Sequence, residues 1–402
     1  MSTEPRVIMT DPSGSAAPYI HNLANALTDA GCQVDLYTGP YWMNTIGKLK
    51  QHIYSAHVFF YKNSQLRAYA ARGTTFSGFW KVIRLVSHIF GMTRLLFRCR
   101  EADLVHIQFL PVPTFDLLWM KITKRMRPVV LTVHDLLPPE ADAVGVGHGV
   151  WSEIYHTAGK LIVHAKCTAK GLQEEFGVAP EKIVHIPHPA MEHLQGLATE
   201  QPDASSVPRI LFFGQLRANK GLDVLLDAIA ELKRKEVNVK LLVAGASRVD
   251  VEIYEVQAQR LQLQDTVEFR WGLVSEREAA GMFLNATLIV LPYRRIDQSG
   301  VALAACALGR AIVASRVGGL EELIEEAGCG ALVPPNEPVA LADAIERVLS
   351  TLELRRTYEE NGKRYANTIA SPSEMAKKTL EVYREVCGGD TRGEISISNE
   401  QK

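Results

Sequence analysis

The chain has 402 residues, 47% of them hydrophobic and 22% charged, and its 44 basic and 45 acidic residues give a formal charge of −1. That length exceeds the roughly 250–300 residues at which single cores stop growing, so two domains are expected. Near-neutrality excludes a global field that would recruit nucleic acid or an anionic membrane, which leaves only local attraction.

Short apolar runs alternate with helical patterns along the whole chain. In the first half the runs are RVIMT (6–10), VDLYT (34–38), LVHIQF (104–109), VVLTVHD (129–135), LIVHA (161–165) and IVHIPH (183–188). They are continuous rather than alternating, as expected of strands buried on both faces, and the helical stretches between them predict parallel βαβ units. A stretch rich in Pro, Ser and Ala, 187–209, reads as a linker. The same grammar then restarts with RILFFG (209–214), VKLLVAG (239–245), VEFRWG (267–272), LIVLPY (288–293), AIVAS (311–315) and GALVPP (330–335). Ser275 with Glu278, and Ser371 with Pro372 and Glu374, mark helix starts. The tail, 389–402, reads as disordered.

The expectation is an α/β chain of two doubly wound Rossmann-like domains, 1–195 and 207–368. Such sheets bind ligands at their carboxyl edges, so the site is expected in the cleft between them. No apolar run approaches the roughly 18–20 residues that span a bilayer. The N-terminus shows no basic segment followed by an apolar one, and a cytoplasmic protein is expected. The six cysteines lie far apart without CxxC or Cys/His spacing, and read as small buried hydrophobes in a reducing compartment.

Three loops suit an anion. In DPSGSAAPY (11–19), Ser13 and Gly14 open a helix after the first strand, although an ordinary turn explains them as well because G-x-G-x-x-G is missing. In GQLRANKG (214–221), Gly214 permits a close approach. Arg217 and Lys220 stand beside a helix N-terminus that itself favours anions, so a phosphate is expected there; a solvated turn with surface cations is the other reading. In IDQSGVALAA, Gln298, Ser299, Gly300 and Val301 lead into a small-residue helix whose free N–H groups can hold an anion; a serine cap with a packing glycine is the other reading. His134 and Asp135 end a strand, where ligands collect. His134 reads either as a sugar-orienting group or as a satisfied core residue, and Asp135 either as an acceptor contact or as a cap. In VGGLEEL (317–323) the glycines suit a tight turn, and Glu321 and Glu322 read as structural. Residues 81–100 place Lys81, Arg84, Arg94, Arg98 and Arg100 among Ile83, Leu95, Leu96 and Phe97, which suits either an anionic membrane surface or a helix packed on the sheet.

Residues 209–349 resemble the family 4 retaining glycosyltransferases of GT-B fold, through FFGQLRANKGLDVLLDA, LLVAG, LPYRRIDQSGVALAACALGRAIVAS and VGGLEELIEEAGCGALVPPNEPVALADAI. The first half resembles their acceptor-side domain through PYIHNLANALTDAGCQVDLYTG, DLVHIQ, TVHDLLP and KIVHIPH. The resemblance implies transfer of a sugar from a nucleoside diphosphate sugar (UDP- or GDP-sugar) to a saccharide acceptor with retention of configuration and with no metal or other cofactor, while the basic residues of 81–100 and 121–127 suit a lipid-linked acceptor. It implies diphosphate binding by Arg217 and Lys220, a place for His134 beside the donor sugar, and a C-terminal helix, 371–388, returning to the first domain. Many relatives carry two glutamates separated by seven residues where this chain has Ala304 and Ile296 or Asp297; the chain resembles a subgroup with QSG there. A non-catalytic nucleotide-binding scaffold and a nucleotide-sugar epimerase are the alternatives.

Overall fold

The computed structural model describes residues 4–14, 17–39, 53–60, 77–137, 147–197 and 207–388. The tail 389–402 lies outside them. The chain forms two compact units: residues 1–164, 168–186 and 372–402 make the first, and residues 165–167 and 187–371 the second.

Unit 1 is a seven-stranded, all-parallel sheet of β1 (Arg6–Asp11), β2 (Gln33–Thr38), β3 (Ser55–Val58), β4 (Leu104–Ile107), β5 (Val129–Val133), β6 (Lys160–Val163) and β7 (Ile183–His185), in the order β3-β2-β1-β4-β5-β6-β7. β4 and β5 are buried at every position, which is why they read as unbroken apolar runs. β3 was not expected. It is an edge strand with Ser55 and His57 exposed, so SAHV carries no apolar run; its register against β2 runs from Asp35↔Ser55 to Thr38↔Val58.

Helices cover both faces of this sheet. On one, α1 (Ala17–Asp29) buries Ile20, Leu23 and Leu27 in a cluster with Met375, Leu380 and Tyr383 of the last helix, Pro372–Gly388. On the other, α2 (Ser77–Arg98), α3 (Pro113–Lys124) and α4 (His148–Thr157) supply Met92, Leu95, Trp119, Met120 and Tyr155. The Trp119 indole donates to the Met92 carbonyl at 2.8 Å, and His88 Nε2 lies 2.6 Å from the Asp116 carboxylate with both side chains fully buried. α5 (Lys166–Glu174) completes this layer by burying Leu172.

Unit 2 is a six-stranded parallel sheet of β8 (Arg209–Phe213), β9 (Lys240–Gly245), β10 (Val267–Trp271), β11 (Leu288–Leu291), β12 (Ala311–Ser315) and β13 (Gly330–Val333), in the order β10-β9-β8-β11-β12-β13. Its helices are α6 (Leu222–Arg234), α7 (Glu252–Arg260), α8 (Glu276–Asn285), α9 (Gly300–Ala307), α10 (Gly318–Ala327), α11 (Pro338–Ser350) and α12 (Leu352–Asn367). The last helix of unit 1 is then α13. α8 opens with the Ser275–Glu278 capping box that the spacing predicts. α9 is apolar all round and buries every residue from Ala302 to Ala307, as a helix enclosed by its domain must. Gly362 lets α12 approach it: a Cβ there would sit 3.3 Å from the Cys306 Cα.

The stretch expected to be a linker contributes core. Unit 2 begins at Pro187 because Ala190 and Leu194, 0% and 4% exposed, pack into its hydrophobic cluster, and Gln195 donates to the Ala307 carbonyl at 2.7 Å. Six free thiols are present, four of them buried. Cys306 and Cys329 bring their sulfurs to 3.6 Å, a proximity that spacing along the chain concealed. The neighbouring sulfur and burial together push the Cys306 thiol well above its ordinary pKa.

Candidate functional site

In unit 2 the strand order reverses at β8, which pairs with β9 on one side and β11 on the other. The loops that follow β8 and β11 therefore leave the same carboxyl edge at the switch point, where ligands of open α/β sheets bind. Glycines fold the first loop. Gly245 has φ +143°, and a Cβ there would lie 2.0 Å from the Gly214 carbonyl; Gly214 itself has φ +116°. Leu216 N–H then donates to the Ala246 carbonyl at 2.8 Å. A 3-10 turn at Ala218–Lys220 ends in Gly221 at φ +66°, the cap position of α6.

The two loops are clamped together. Asn219 accepts the Arg294 N–H at 2.8 Å and donates its side-chain amide to the Arg295 carbonyl at 2.9 Å. The Arg294 guanidinium donates to the Ala218 carbonyl at 2.9 Å, to Asp223 at 3.0 Å and to Asn336 at 2.7 Å. Sequence reasoning assigned nothing to Arg294. Its partners lie 42 to 76 residues away, so no local pattern announced it.

On this frame Arg217 is half-buried, and its Nε and Nη2 donate to the neutral Gln215 side chain at 3.1 and 2.8 Å. Lys220 Nζ lies 3.7 Å from the centroid of the Tyr293 ring. Tyr293 is fully buried, and burial holds its phenol well above the ordinary range. Ser299, 5% exposed, accepts the Ala302 N–H at 3.3 Å and caps α9. A Cβ on Gly214 would stand 3.3 Å from Val301 Cγ2, so the first loop and the start of α9 are adjacent. Gln298 is half-buried on the same loop. The VGG turn seats this loop: Cβ atoms on Gly318 and Gly319 would fall 2.0 and 2.1 Å from the Ile296 and Asp297 carbonyls. Glu321 pairs with Arg316 at 2.6 Å. Gly214, Arg217, Lys220 and 298–301 thus gather on one sheet edge. A cavity of about 860 Å³ lies at the amino ends of β8, β9 and β10, lined by Arg209, Lys240 and Thr266, on the edge away from these loops.

Unit 1 has its own switch point, since β1 pairs with β2 and β4. Asp11 closes β1 and accepts the Ser13 hydroxyl at 2.8 Å and the Gly14 N–H at 2.9 Å, with Gly14 at φ +63°. Both donors are turned onto Asp11. Beyond β5, the His134 ring stacks on Phe109 at 4.5 Å and meets Tyr19 edge-on at 5.0 Å. Its Nε2 lies 3.2 Å from Gln108 Oε1, and because a carbonyl oxygen only accepts, the proton sits on that nitrogen. Asp135 is half-buried, and residues 138–146, which follow it, lie outside the described ones.

Behind His134 runs a buried polar chain that sequence reasoning missed. Gln108 Nε2 lies 3.2 Å from His106 Nε2, and His106 in turn contacts Thr132 Oγ1 at 2.8 Å and, through Nδ1, the Tyr383 hydroxyl at 2.6 Å. The Tyr383 contact spans 277 residues. His106 is fully buried, and burial pushes its pKa down to about 3. Above pH 6.5 both folded and unfolded forms are neutral at this site. Below it the unfolded chain takes up a proton that the folded chain refuses, so stability falls as pH falls toward 3. Urea unfolding at pH 5 should therefore show about 2 kcal/mol less stability than at pH 8 from this group. His106→Gln should remove one proton from that dependence, and an unchanged slope would relocate the effect.

Two family models match successive parts of the chain: Glycosyltransferase Family 4 over residues 16–190 and Glycosyl transferases group 1 over residues 199–365. The chain is of the glycosyltransferase family 4, GT-B type. The alpha-D-kanosaminyltransferase of Streptomyces kanamyceticus is 31% identical over 180 residues, 44% of this chain and 46% of that relative. The chain spans about half the length of such curated relatives. Sucrose-phosphate synthase from Thermosynechococcus elongatus superimposes with a TM-score of 0.71 at 19% identity, over 96% of this chain and 99% of that one. The Anabaena protein HepE, crystallised with UDP and glucose, gives 0.69 at 18% identity over 94% and 98%. Both likenesses concern the GT-B fold, two parallel-sheet Rossmann-like domains. Ala304, where the resemblance would put a helix glutamate, is 3% exposed.

Proposed function

We propose that the protein transfers a sugar from a UDP- or GDP-sugar to a glycan or lipid-linked acceptor with retention of anomeric configuration, in the assembly of a cell-surface polysaccharide. The observation that carries this reading is the clamped pair of loops at the unit 2 switch point, where Arg217, Lys220 and the start of α9 share one edge. Arg217 forks onto the diphosphate, Lys220 adds a point charge, and the Gly300 and Val301 amides complete the cradle, with Gln298 and Ser299 on the sugar side. As the C1–O bond to the diphosphate breaks, these charges offset the negative charge gathering on the leaving oxygen. That oxygen takes the acceptor hydroxyl's proton as the new C1–O bond forms on the same face. In this reading His134 orients the donor sugar, Ser13 and Gly14 contribute to donor binding, and Asp135 touches the acceptor.

Two protein cations at the diphosphate replace a metal's charge, so turnover is independent of divalent ions. No described helix is long and apolar enough to cross a membrane; the enzyme works in the cytoplasm, reaching a lipid-linked acceptor from the inner face. The UDP and glucose held by the Anabaena relative support a UDP-sugar. A second reading, a nucleotide-binding scaffold without turnover, draws on the missing glutamate at Ala304.

The test is a thermal-shift series with UDP, GDP, ADP and their sugars, followed by turnover of the stabilising donor with and without EDTA. A nucleotide at 100 times its Kd should add about 2.7 kcal/mol of apparent stability. Turnover that survives EDTA is expected. Binding without hydrolysis or transfer would favour the scaffold, and loss restored by Mg²⁺ would overturn the metal-free mechanism.

A further inference from the structure

The side of α2 that faces away from the sheet is apolar. Val82, Val86, Phe90 and Phe97 are 58, 60, 70 and 66% exposed among the described residues. At about 100° per residue they fall within one arc of roughly 80°. The opposite side packs inward through His88, Met92 and Leu95, each 1% exposed or less. This corrects the expected apolar side: Leu95 is core, whereas Phe97 stays outward. α3 lies beside α2, tied to it by the His88–Asp116 and Trp119–Met92 bonds. It adds Leu118 and Ile122, one turn apart and also exposed.

The stretch that builds α2 and α3 is predominantly basic. Residues 81–127 hold nine of the chain's 44 basic residues and three of its 45 acidic ones. Those three acids are engaged within the fold: Asp116 is buried against His88, Glu101 pairs with Arg98 at 3.1 Å, and Asp103 accepts the Arg6 N–H at 2.8 Å. Arg94 stands 4.8 Å over the Phe59 ring at the rim of the apolar arc. An apolar stripe bordered by cations matches the depth profile of an anionic bilayer, in which acyl chains lie beneath phosphates.

We propose that this face of α2 docks on an anionic lipid surface, with Val82, Val86, Phe90 and Phe97 entering the headgroup boundary and Arg94, Arg98 and Arg100 meeting the lipid phosphates. Docking is scored without donor or acceptor, so it stands or falls apart from the transfer reaction. The full chain is sedimented with vesicles of phosphatidylcholine alone or mixed equally with phosphatidylglycerol. At least tenfold greater partition onto the anionic vesicles is expected, reversed by high salt. Phe90→Ser with Phe97→Ser, and Arg94→Gln with Arg98→Gln and Arg100→Gln, should each reduce it tenfold or more while thermal unfolding stays unchanged. A Phe90→Trp reporter should be quenched by brominated acyl chains. Equal partition on both vesicles, unaltered binding by the variants, or an unquenched Trp would overturn the proposal. So would a dimer in lipid-free solution that the Phe90→Ser, Phe97→Ser pair dissociates, since the face would then belong to a second copy.

Discussion

Arg217→Ala and Lys220→Ala are each expected to lower kcat about 10- to 1000-fold, a loss of roughly 1.4–4 kcal/mol of transition-state stabilisation. Their surroundings make the result readable. Arg217 donates to the neutral Gln215, so its removal strands no buried charge and folding should be untouched. Lys220→Ala also strips the cation from the Tyr293 ring, which costs about 0.5–2 kcal/mol of stability at most. Both variants should keep part of their nucleotide affinity, because the amides at the start of α9 remain. The measurement is steady-state turnover beside nucleotide-induced thermal shift, with Arg270→Ala on the exposed edge strand β10 as control. Rates near wild type in both variants would remove the diphosphate assignment.

Gly221→Ala should be nearly as damaging, though it deletes no functional group. At φ +66° an L side chain costs about 1–2 kcal/mol. Its Cβ would also lie 2.0 Å from the Pro292 carbonyl, which is backbone and cannot rotate away. One loop must move, and the Asn219 and Arg294 bonds force the other to follow. A loss of about 2–5 kcal/mol in stability is expected from such strain, together with at least a hundredfold loss of turnover. Gly147→Ala, with φ −63° and open space around its Cβ, should stay within about 0.5 kcal/mol of wild type. Normal activity in Gly221→Ala would show that the clamp does not shape the site.

Much of this architecture was legible because burial on both faces writes itself as unbroken apolar runs. Twelve strands follow those runs closely, and the unexpected one, β3, is the edge strand whose single neighbour leaves half its residues in water. The cationic loop drew notice for a related reason, since two cations beside a helix N-terminus are unfavourable unless an anion joins them, and that anion is part of the proposal. What stayed hidden is long-range pairing. The Arg294 clamp and the His106–Tyr383 contact use partners that no local window contains. α2 was ambiguous in another way. With apolar residues on most of its circumference, the sequence could not tell the packed side from the open one, and Leu95 was placed on the wrong side.

The return of α13 to unit 1 sets an order of events during synthesis. Everything unit 2 needs, through Ser371, is synthesised before the last helix. Unit 1, begun first, remains without Met375, Leu380 and Tyr383 until residue 388, so its α1 face stays uncovered for most of translation. Unit 1 is therefore begun first and completed last, which departs from the usual N-terminal-first sequence. A nonsense mutation early in α13 would release a chain whose first unit lacks Leu380 and Tyr383 and keeps an open core, a product suited to holdase capture or proteolysis.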